Sequence, residues 1–239
     1  MSDLRDLLTK YRTAAQTERE KGTYFEELII DYLKNDPIQS TIYDEIWTFK
    51  DWADAEGINA NDTGVDLVAR IREGGTFCAI QCKFYDEDKT IQKGDIDKFF
   101  AASSKSHFTR RLFVDTTRNE WGKNALDTLN GQNIETNRIG LETLEQSPID
   151  WSVYAQDRKI KLAEKKQLRE HQQIALAKVE EGLKTADRGK LIMACGTGKT
   201  YTSLKIAEKI AGPGKTVLYL VPSLALMSQT VREWSLDTE

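Results

Sequence analysis

Two short apolar runs dominate the hydrophobic pattern in the first half of the chain. Residues 64–71 and 77–83 are rich in Val, Ile and Phe, and the pair Gly74-Gly75 lies between them. Two apolar runs joined in this way predict an antiparallel β-hairpin with a two-residue turn. Counting back from that turn along both strands places Asp66 opposite Lys83.

One face of this hairpin gathers three polar side chains. Because side chains alternate along a strand, Gln81 and Lys83 point to the same face, and a residue opposite Lys83 shares that face. Asp66, Gln81 and Lys83 therefore bring together a carboxylate, an amide and an ammonium. Phosphodiester hydrolysis needs oxygen ligands for Mg²⁺ and a cation near the attacking water. The structural alternative is an ordinary cross-strand ion pair on a solvent-exposed hairpin.

Asp66 followed by Gln81-Cys82-Lys83 resembles the metal-binding core of the PD-(D/E)xK nucleases, in the Q-x-K form of the Mrr-like branch. The resemblance implies that Asp66, Gln81 and the Cys82 carbonyl hold Mg²⁺ while Lys83 orients the attacking water. Gln81 departs from the carboxylate that most of the superfamily has at this place, and a neutral amide oxygen binds a hard cation more weakly. Another acidic residue should therefore contribute. Gly64 would let the backbone come close to the metal or the phosphate.

A helix upstream of the hairpin offers that acidic residue. The apolar spacing from Phe25 to Leu33 predicts an amphipathic helix, and Glu26 lies at the edge of its buried side. A carboxylate there is costly unless it is paired or bound to a metal. Its position resembles the helix glutamate of Mrr-like nucleases, in a G-x-x-F-E-x-L pattern. The resemblance makes Glu26 the fourth site residue.

The remainder of the first domain, residues 1–156, is predicted to alternate strands with helices. Strands are predicted near residues 43–49, 111–115 and 134–139. A basic cluster that could neutralise phosphates, with a solvated loop as the alternative, consists of Lys105, His107, Arg110 and Arg111. His107 is the only histidine in this half, so His-based acid–base catalysis has little support.

The composition of the chain argues against a polycationic, a secreted or a membrane protein. The chain of 239 residues has 34 basic and 38 acidic residues, so any DNA contact must be local rather than spread over a polycationic surface. Three cysteines, an odd number, favour reduced thiols in an intracellular protein. The sequence has neither a membrane-length apolar stretch nor the apolar core of a signal peptide, which predicts a cytoplasmic protein.

A phosphate-binding loop is predicted in the second half of the chain. A charged segment, residues 157–166, is predicted to link the two domains. Beyond it, a strand at residues 190–194 leads into Gly196-Thr197-Gly198-Lys199-Thr200 and a helix over residues 201–210. In such a loop the backbone amides wrap the phosphates, Lys199 reaches the outer phosphates and Thr200 ligates Mg²⁺. The structural alternative is a glycine-rich turn that merely joins strand to helix.

The second domain, residues 167–239, resembles the start of the ATP-binding lobe of superfamily 2 helicases and translocases. The G-T-G-K-T loop carries this resemblance, together with an L-R-x-x-Q segment whose glutamine, Gln172, would recognise adenine. A strand at residues 217–221 resembles the start of the next helicase motif. The sequence ends before the Asp-Glu-x-His box, the second RecA-like lobe and the arginine finger of such motors. We therefore expect weak ATP turnover from this piece and a longer nuclease–motor protein.

Together these patterns predict an α/β protein with a restriction-endonuclease-like nuclease domain followed by the start of a RecA-like helicase lobe. This order resembles the N-terminal part of type ISP restriction-modification enzymes, with type I, type III and other phage-defence enzymes as close relatives. The resemblance implies Mg²⁺-dependent cleavage of double-stranded DNA. It also implies an ATP-driven translocase, a methyltransferase and target recognition in the remaining polypeptide. Two alternatives stay open: a catalytically idle DNA-binding or sensing module, and a DNA-repair helicase-nuclease.

Overall fold

Two compact units make up the chain. The computed structural model describes residues 3–59, 64–104, 107–130, 132–194 and 196–238. The first unit is Met1–Ala163 and the second is Glu164–Glu239. The division between them falls inside the charged segment 157–166. No helix in the described ranges is long and apolar enough to cross a membrane.

The first unit is built around one five-stranded sheet. Its strands are β1 (Tyr43–Thr48), β2 (Leu67–Ile71), β3 (Phe77–Lys83), β4 (Phe108–Asp115) and β5 (Thr136–Ile139). Its described helices are α1 (Asp3–Ala14), α2 (Glu18–Asn35), α3 (Gln39–Ile42), α4 (Phe49–Ala55), α5 (Lys93–Ala102), α6 (Lys123–Asn130), α7 (Leu141–Glu145) and α8 (Trp151–Asp157). The strands lie in the order β1-β2-β3-β4-β5; β1, β2 and β3 pair antiparallel, whereas β3, β4 and β5 pair parallel.

Helices cover both faces of the sheet. Leu67 and Ile80 pack into one core with apolar residues of α1, α2, α7 and α8. Val68 and Ala79, on the other face, pack into a second core with residues of α4, α5 and α6. Because both faces are buried, β2 and β3 are nearly continuous apolar runs, which is why these strands are visible in the sequence.

The turn between β2 and β3 is longer than the sequence predicts. The chain reverses through residues 72–75, and the Ile71 amide donates to the Thr76 carbonyl at 2.7 Å. The Gly75 amide donates to the Ile71 carbonyl at 3.1 Å. Gly74 and Gly75 have positive φ values of 86° and 65°, a backbone conformation that favours glycine. The predicted two-residue turn is therefore wrong, although both glycines belong to the turn.

This longer turn shifts the hairpin register by two residues. Leu67 lies opposite Ile80, so Asp66, directly before β2, lies next to Gln81 rather than opposite Lys83. The predicted pairing of Asp66 with Lys83 is wrong for this reason. Side chains alternate with a period of two, so a shift of two residues leaves the facing side chains unchanged. Asp66 therefore remains on the face that carries Gln81 and Lys83.

The second unit contains three described helices, α9 (Glu170–Gly182), α10 (Lys199–Ala211) and α11 (Leu224–Asp237). The strands predicted at residues 190–194 and 217–221 are wrong, because within the described part of this unit neither segment pairs with a neighbouring strand. A strand forms only when a neighbour satisfies its backbone hydrogen bonds, and the local apolar pattern does not supply that neighbour. Side chains of these segments remain 90%, 82% and 80% exposed at Ile192, Leu218 and Leu220.

Gly64 lies against helix α5. A Cβ atom added at Gly64 would lie 2.6 Å from the Lys98 carbonyl oxygen and 2.6 Å from Ala102 Cβ, both in α5. The backbone before Asp66 therefore passes α5 at a distance that only glycine permits. The structure thus gives Gly64 a packing role against a helix, and its predicted approach to a metal or phosphate stays a prediction.

Replacing Gly64 by Ala should lower the free energy of unfolding of the first unit by about 1–3 kcal/mol, because the added methyl overpacks the contact with α5. Thermal unfolding followed by tryptophan fluorescence measures the change. Four of the five tryptophans belong to the first unit: Trp47, Trp52, Trp121 and Trp151. Gly94→Ala in α5 is the matched control, since an added Cβ there meets nothing within 4 Å. Equal melting temperatures in the two variants would contradict the packing role.

Candidate active site

The Asp66 carboxylate lies at the centre of the candidate site, beside the end of β3. Its Oδ2 atom accepts a hydrogen bond from the Cys82 amide at 2.7 Å, and Gln81 Nε2 donates to the same oxygen. Removal from water raises the pKa of Asp66, while the Cys82 amide, the charge of Lys83 and the Gln81 side chain act in the opposite direction. The structure therefore brings together Asp66, Gln81, Lys83 and the Cys82 main chain, as the sequence predicts.

Lys83 is the last residue of β3, and its neighbour on β4 is a buried acid. In the parallel register Lys83 pairs with Asp115, which is fully buried. Arg138 of β5 binds both carboxylate oxygens of Asp115, at 2.8 and 2.9 Å. Because Arg138 satisfies this acid, Lys83 is not needed as its counter-ion and its charge acts on Asp66. The sequence contains no local signal for the Asp115–Arg138 pair, whose members are far apart along the chain.

Glu26 of α2 contributes a second carboxylate to the site. Its half-buried side chain has a pKa raised to about 7, because burial disfavours the charged form and the negative charges of Asp66 and Glu27 add to that effect. The negative charge of Asp66 thus acts on Glu26. Acids whose pKa values are raised by burial and by a nearby negative charge are typical of cation-binding and catalytic sites.

The residues present fit a hard divalent cation. Asp66 and Glu26 offer carboxylate oxygens, Gln81 an amide oxygen and Cys82 a main-chain carbonyl, which are the ligand types that Mg²⁺ prefers. The Gln81 amide presents its NH₂ group to Asp66, so binding a cation through Gln81 requires the amide to turn its oxygen towards the ion. Across the described ranges there is no cluster of three or more His, Cys, Asp or Glu side chains suited to a metal. Among the described residues, the candidate site has two carboxylates, those of Asp66 and Glu26.

The described residues of the predicted basic cluster, His107, Arg110 and Arg111, lie in the first half of β4 or directly before it, away from the candidate site. Arg111 pairs with Ala79, whereas Lys83 pairs with Asp115, which puts Arg111 about 13 Å from the site end of β4. Arg111 is 2% exposed, burial lowers its pKa, and its guanidinium binds Ser103, Ser104, Gln132 and the Phe100 carbonyl. The predictions that Arg111 neutralises a phosphate or lies in a solvated loop are therefore both wrong. Lys105 lies outside the described residues.

In the second unit, the predicted phosphate-binding loop precedes α10. Gly196 and Gly198 have positive φ values of 77° and 80°, and Gly198 is the N-cap of α10. Lys199 Nζ donates to the Ala194 carbonyl at 3.1 Å, and the Thr197 hydroxyl donates to the same carbonyl at 2.8 Å. Thr200 lies in the first turn of α10, where its hydroxyl could ligate Mg²⁺ only with a nucleotide present. Cys195 lies outside the described residues.

Gln172 holds this loop through its side-chain amide. Its Oε1 accepts from the Arg169 amide at 2.9 Å, and its Nε2 donates to the carbonyls of Thr197 and Gly198 at 3.1 and 3.3 Å. The side chain is 4% exposed. Recognition of adenine by Gln172 therefore stays a prediction, and it requires the amide to leave these partners. A contact between Gln172 and the loop was not foreseen from the sequence.

Comparison with known proteins defines the class to which this fold and site belong. Residues 34–161 match the sequence profile described as restriction endonuclease, and residues 165–237 match that of the type III restriction enzyme res subunit. The first match covers more than half of the chain, so the chain belongs to the restriction endonuclease family. A search of curated protein sequences gave no match.

Comparison with solved structures identifies a particular restriction enzyme that this chain resembles. The ATP-dependent type ISP restriction-modification enzyme LlaBIII bound to DNA is 37% identical, with a TM-score of 0.81 over 100% of this chain and 15% of that chain. The MspJI restriction endonuclease in complex with a 27-mer oligonucleotide is 13% identical over 65% of this chain and 32% of that chain, with a TM-score of only 0.38. The predicted α/β fold class and the resemblance to type ISP enzymes are confirmed. The chain spans only 15% of the length of LlaBIII.

The raised pKa of Glu26 predicts a pH-dependent stability in the absence of metal. The pKa of about 7 in the folded protein exceeds the ordinary value of 4.5. The folded protein therefore keeps a proton that the unfolded chain loses, and stability falls as the pH rises from about 4.5 to 7. At about 1.4 kcal/mol per pKa unit, a rise from 4.5 to about 7 corresponds to about 3.5 kcal/mol, and solvent screening of the half-buried side chain lowers the contribution lost to about 2–3 kcal/mol. Melting temperatures should therefore fall more steeply with pH in the wild-type protein than in Glu26→Gln.

An exposed carboxylate that does not act on Glu26 provides the control for this experiment. Glu73→Gln, in the turn between β2 and β3, should keep the wild-type dependence of melting temperature on pH. Added Mg²⁺ should stabilise the wild-type protein at pH 8 more than it stabilises Glu26→Gln, because a cation relieves the repulsion between Glu26 and Asp66. A wild-type pH dependence in Glu26→Gln would contradict the raised pKa.

Proposed function

We propose that the first unit is a Mg²⁺-dependent DNA endonuclease with Asp66 at the centre of its active site. The observation that carries the proposal is the convergence of Asp66, Gln81, the Cys82 amide and Lys83 at the end of β3, with Glu26 beside them. Membership of the restriction endonuclease family supports phosphodiester hydrolysis. Similarity to a type ISP enzyme that was solved with DNA supports double-stranded DNA as the substrate.

Each site residue has a chemical role in this proposal. Asp66, Glu26, the Gln81 amide oxygen and the Cys82 carbonyl would hold Mg²⁺, which when bound supplies Lewis-acid activation at the scissile phosphate. Lys83 orients the attacking water, and its ammonium offsets the negative charge that develops on the phosphate oxygens. The partial burial of this site strengthens both effects, because charges interact more strongly where water is excluded.

A second candidate function is favoured by Gln81. Its neutral amide leaves the site with two carboxylates and a weaker hold on a hard cation. In this alternative the first unit binds or senses DNA with the nuclease fold but does not cleave it. A DNA-repair helicase-nuclease is a further reading of the same residues, and it differs from a restriction enzyme only in the rest of the polypeptide.

We also propose that the second unit binds ATP as part of a larger motor. The positive-φ glycines, the α10 N-terminus and Lys199 support binding of the nucleotide phosphates. The exposed apolar side chains of Ile192, Leu218 and Leu220 support packing against further elements of the same polypeptide. In the full-length protein, a second RecA-like lobe would complete the ATPase and drive translocation that brings the nuclease to its cleavage point. A methyltransferase and a target-recognition domain would belong to that polypeptide.

Loss of the central acid or the site lysine should abolish DNA nicking. Asp66→Ala and Lys83→Ala should each slow nicking of supercoiled plasmid in Mg²⁺ by at least about 100-fold, because each removes a group that acts on the reacting phosphate or its metal. Gel electrophoresis of the plasmid measures the rate, and EDTA should stop the wild-type reaction. Circular dichroism verifies that both variants are folded.

An exposed ion pair of the same chemistry is the matched control. Lys93 Nζ lies 2.9 Å from Asp97 Oδ1 on the surface of α5, so Lys93→Ala and Asp97→Ala should keep wild-type nicking. Full activity in both Asp66→Ala and Lys83→Ala would overturn the active-site assignment. Binding of DNA without any nicking by the wild-type protein would favour the sensing module instead.

ATP binding should depend on Lys199. Lys199→Ala should lower the affinity for MgATP by at least about 10-fold, because it removes the cation that reaches the outer phosphates. Isothermal titration calorimetry measures the affinity. Lys209→Ala in the last turn of the same helix is the control, since Lys209 is exposed and distant from the loop along α10. Wild-type affinity in Lys199→Ala would mean that the loop only joins two elements.

A further inference from the structure

Directly after β3, two aromatic rings and an arginine form a stack. Phe84 directly follows Lys83, is 6% exposed, and stacks on Phe25 with ring centroids 5.1 Å apart and planes at 21°. The Arg12 guanidinium of α1 lies 4.6 Å from the centroid of the Phe84 ring. Phe25 directly precedes Glu26 in α2. The stack therefore connects α1 with the two elements that carry Lys83 and Glu26.

Arg12 also holds the main chain of the next residue. Its Nη2 donates to the Tyr85 carbonyl at 2.9 Å, and its Nε lies 3.6 Å from Asp86 Oδ1. Thr116, directly after β4, donates its hydroxyl to the same Tyr85 carbonyl. Side chains from α1 and from the segment directly after β4 therefore both hold the main chain that follows β3.

A second arginine of α1 reaches the same loop. Arg5 Nη1 lies 3.2 Å from Glu87 Oε2, and Arg118 Nε lies 2.9 Å from that oxygen. Arg5 also pairs with Glu145 of α7. Helix α1 thus binds the loop after β3 at two points, and Arg12 is the one that contacts the residues nearest to the candidate site.

We propose that Arg12 is a positioning residue for the nuclease site, an inference that rests on the proposed function. Its contacts are with Phe84, Tyr85 and Asp86, so it acts through the end of β3 and not on the substrate. By holding Phe84 against Phe25, it determines the spacing between the β3 ligands and Glu26. A displacement of about 1 Å in such a site can cost about 100-fold in rate.

The Mg²⁺ dependence of nicking tests this role. Arg12→Gln removes the flat cation from the Phe84 ring and should raise the Mg²⁺ concentration for half-maximal nicking by about 10-fold, as loss of a residue that orients metal ligands does. A protein that is only less stable has fewer active molecules but the same half-saturating Mg²⁺ concentration. Arg12→Lys keeps the charge without the planar fork, so we expect it to rescue only part of the change.

Two further variants isolate the aromatic stack from charge and stability. Arg70→Gln is the matched control, because Arg70 pairs with Asp44 and Glu45 at 3.0 and 2.8 Å near the turn end of the hairpin. It should keep the wild-type Mg²⁺ half-saturation. Phe84→Leu should reproduce the effect of Arg12→Gln, and the double variant should add no further change, because both act through one stack. Thermal unfolding by tryptophan fluorescence verifies that each variant is folded. The rise in melting temperature on adding Mg²⁺ should be smaller in Arg12→Gln than in the wild-type protein, and this readout does not depend on nicking.

Nicking by the wild-type protein distinguishes a failure of the positioning role from a failure of the proposed nuclease function. Nicking by wild-type protein, together with an unchanged Mg²⁺ half-saturation in Arg12→Gln, would overturn the positioning role and leave the nuclease intact. Additive effects of Arg12→Gln and Phe84→Leu would also contradict transmission through the stack. Absence of wild-type nicking at every Mg²⁺ concentration would overturn the proposed nuclease, and the positioning role with it.

Discussion

Partial burial of the Asp66 carboxylate is the constraint on which the candidate site depends. A charged group removed from water destabilises a protein unless donors and cations compensate for the lost hydration. The Cys82 amide, the Gln81 side chain and the charge of Lys83 provide that compensation, and all three belong to the end of β3. The register between β2 and β3 is therefore as important to the site as the identity of the residues.

Gln81 has a clear physical role beside Asp66. A carboxylate at this position would add a third negative charge to those of Asp66 and Glu26 and could not donate a hydrogen bond. The amide donates to Asp66, and it can offer its oxygen to a cation after turning. The neutral side chain that binds a cation more weakly thus also offsets the charge of Asp66.

The second unit shows a comparable arrangement around its glycine-rich loop. Lys199 and Thr197 both donate to the Ala194 carbonyl, and Gln172 donates to two carbonyls of the loop. These groups hold the loop through contacts with its main chain. A nucleotide would compete for the Lys199 ammonium, so phosphate binding and the internal contacts of the loop are alternatives. Phosphate binding would therefore release the Ala194 carbonyl from Lys199.

The sequence by itself determined which residues form the candidate site and which elements carry them. Apolar periodicity marked the helix of Glu26 and the strands around Asp66 and Gln81, because local burial patterns survive in the order of residues. The sequence also shows the glycines that the β2–β3 turn and the loop before α10 require. Two glycines alone, however, did not reveal that residues 72–75 form the turn, and the predicted register was wrong by two residues for that reason.

Tertiary structure decided everything that depends on residues distant along the chain. The two segments of the second unit that were predicted to be strands lack a neighbouring strand within the described residues, and an apolar pattern cannot provide one. The burial of Arg111, the pairing of Asp115 with Arg138 and the contact of Gly64 with α5 likewise have no local signal. Arg12 and Tyr85 are 73 positions apart, and only the folded chain brings them into contact. Packing, and not sequence pattern, thus holds the site elements in place.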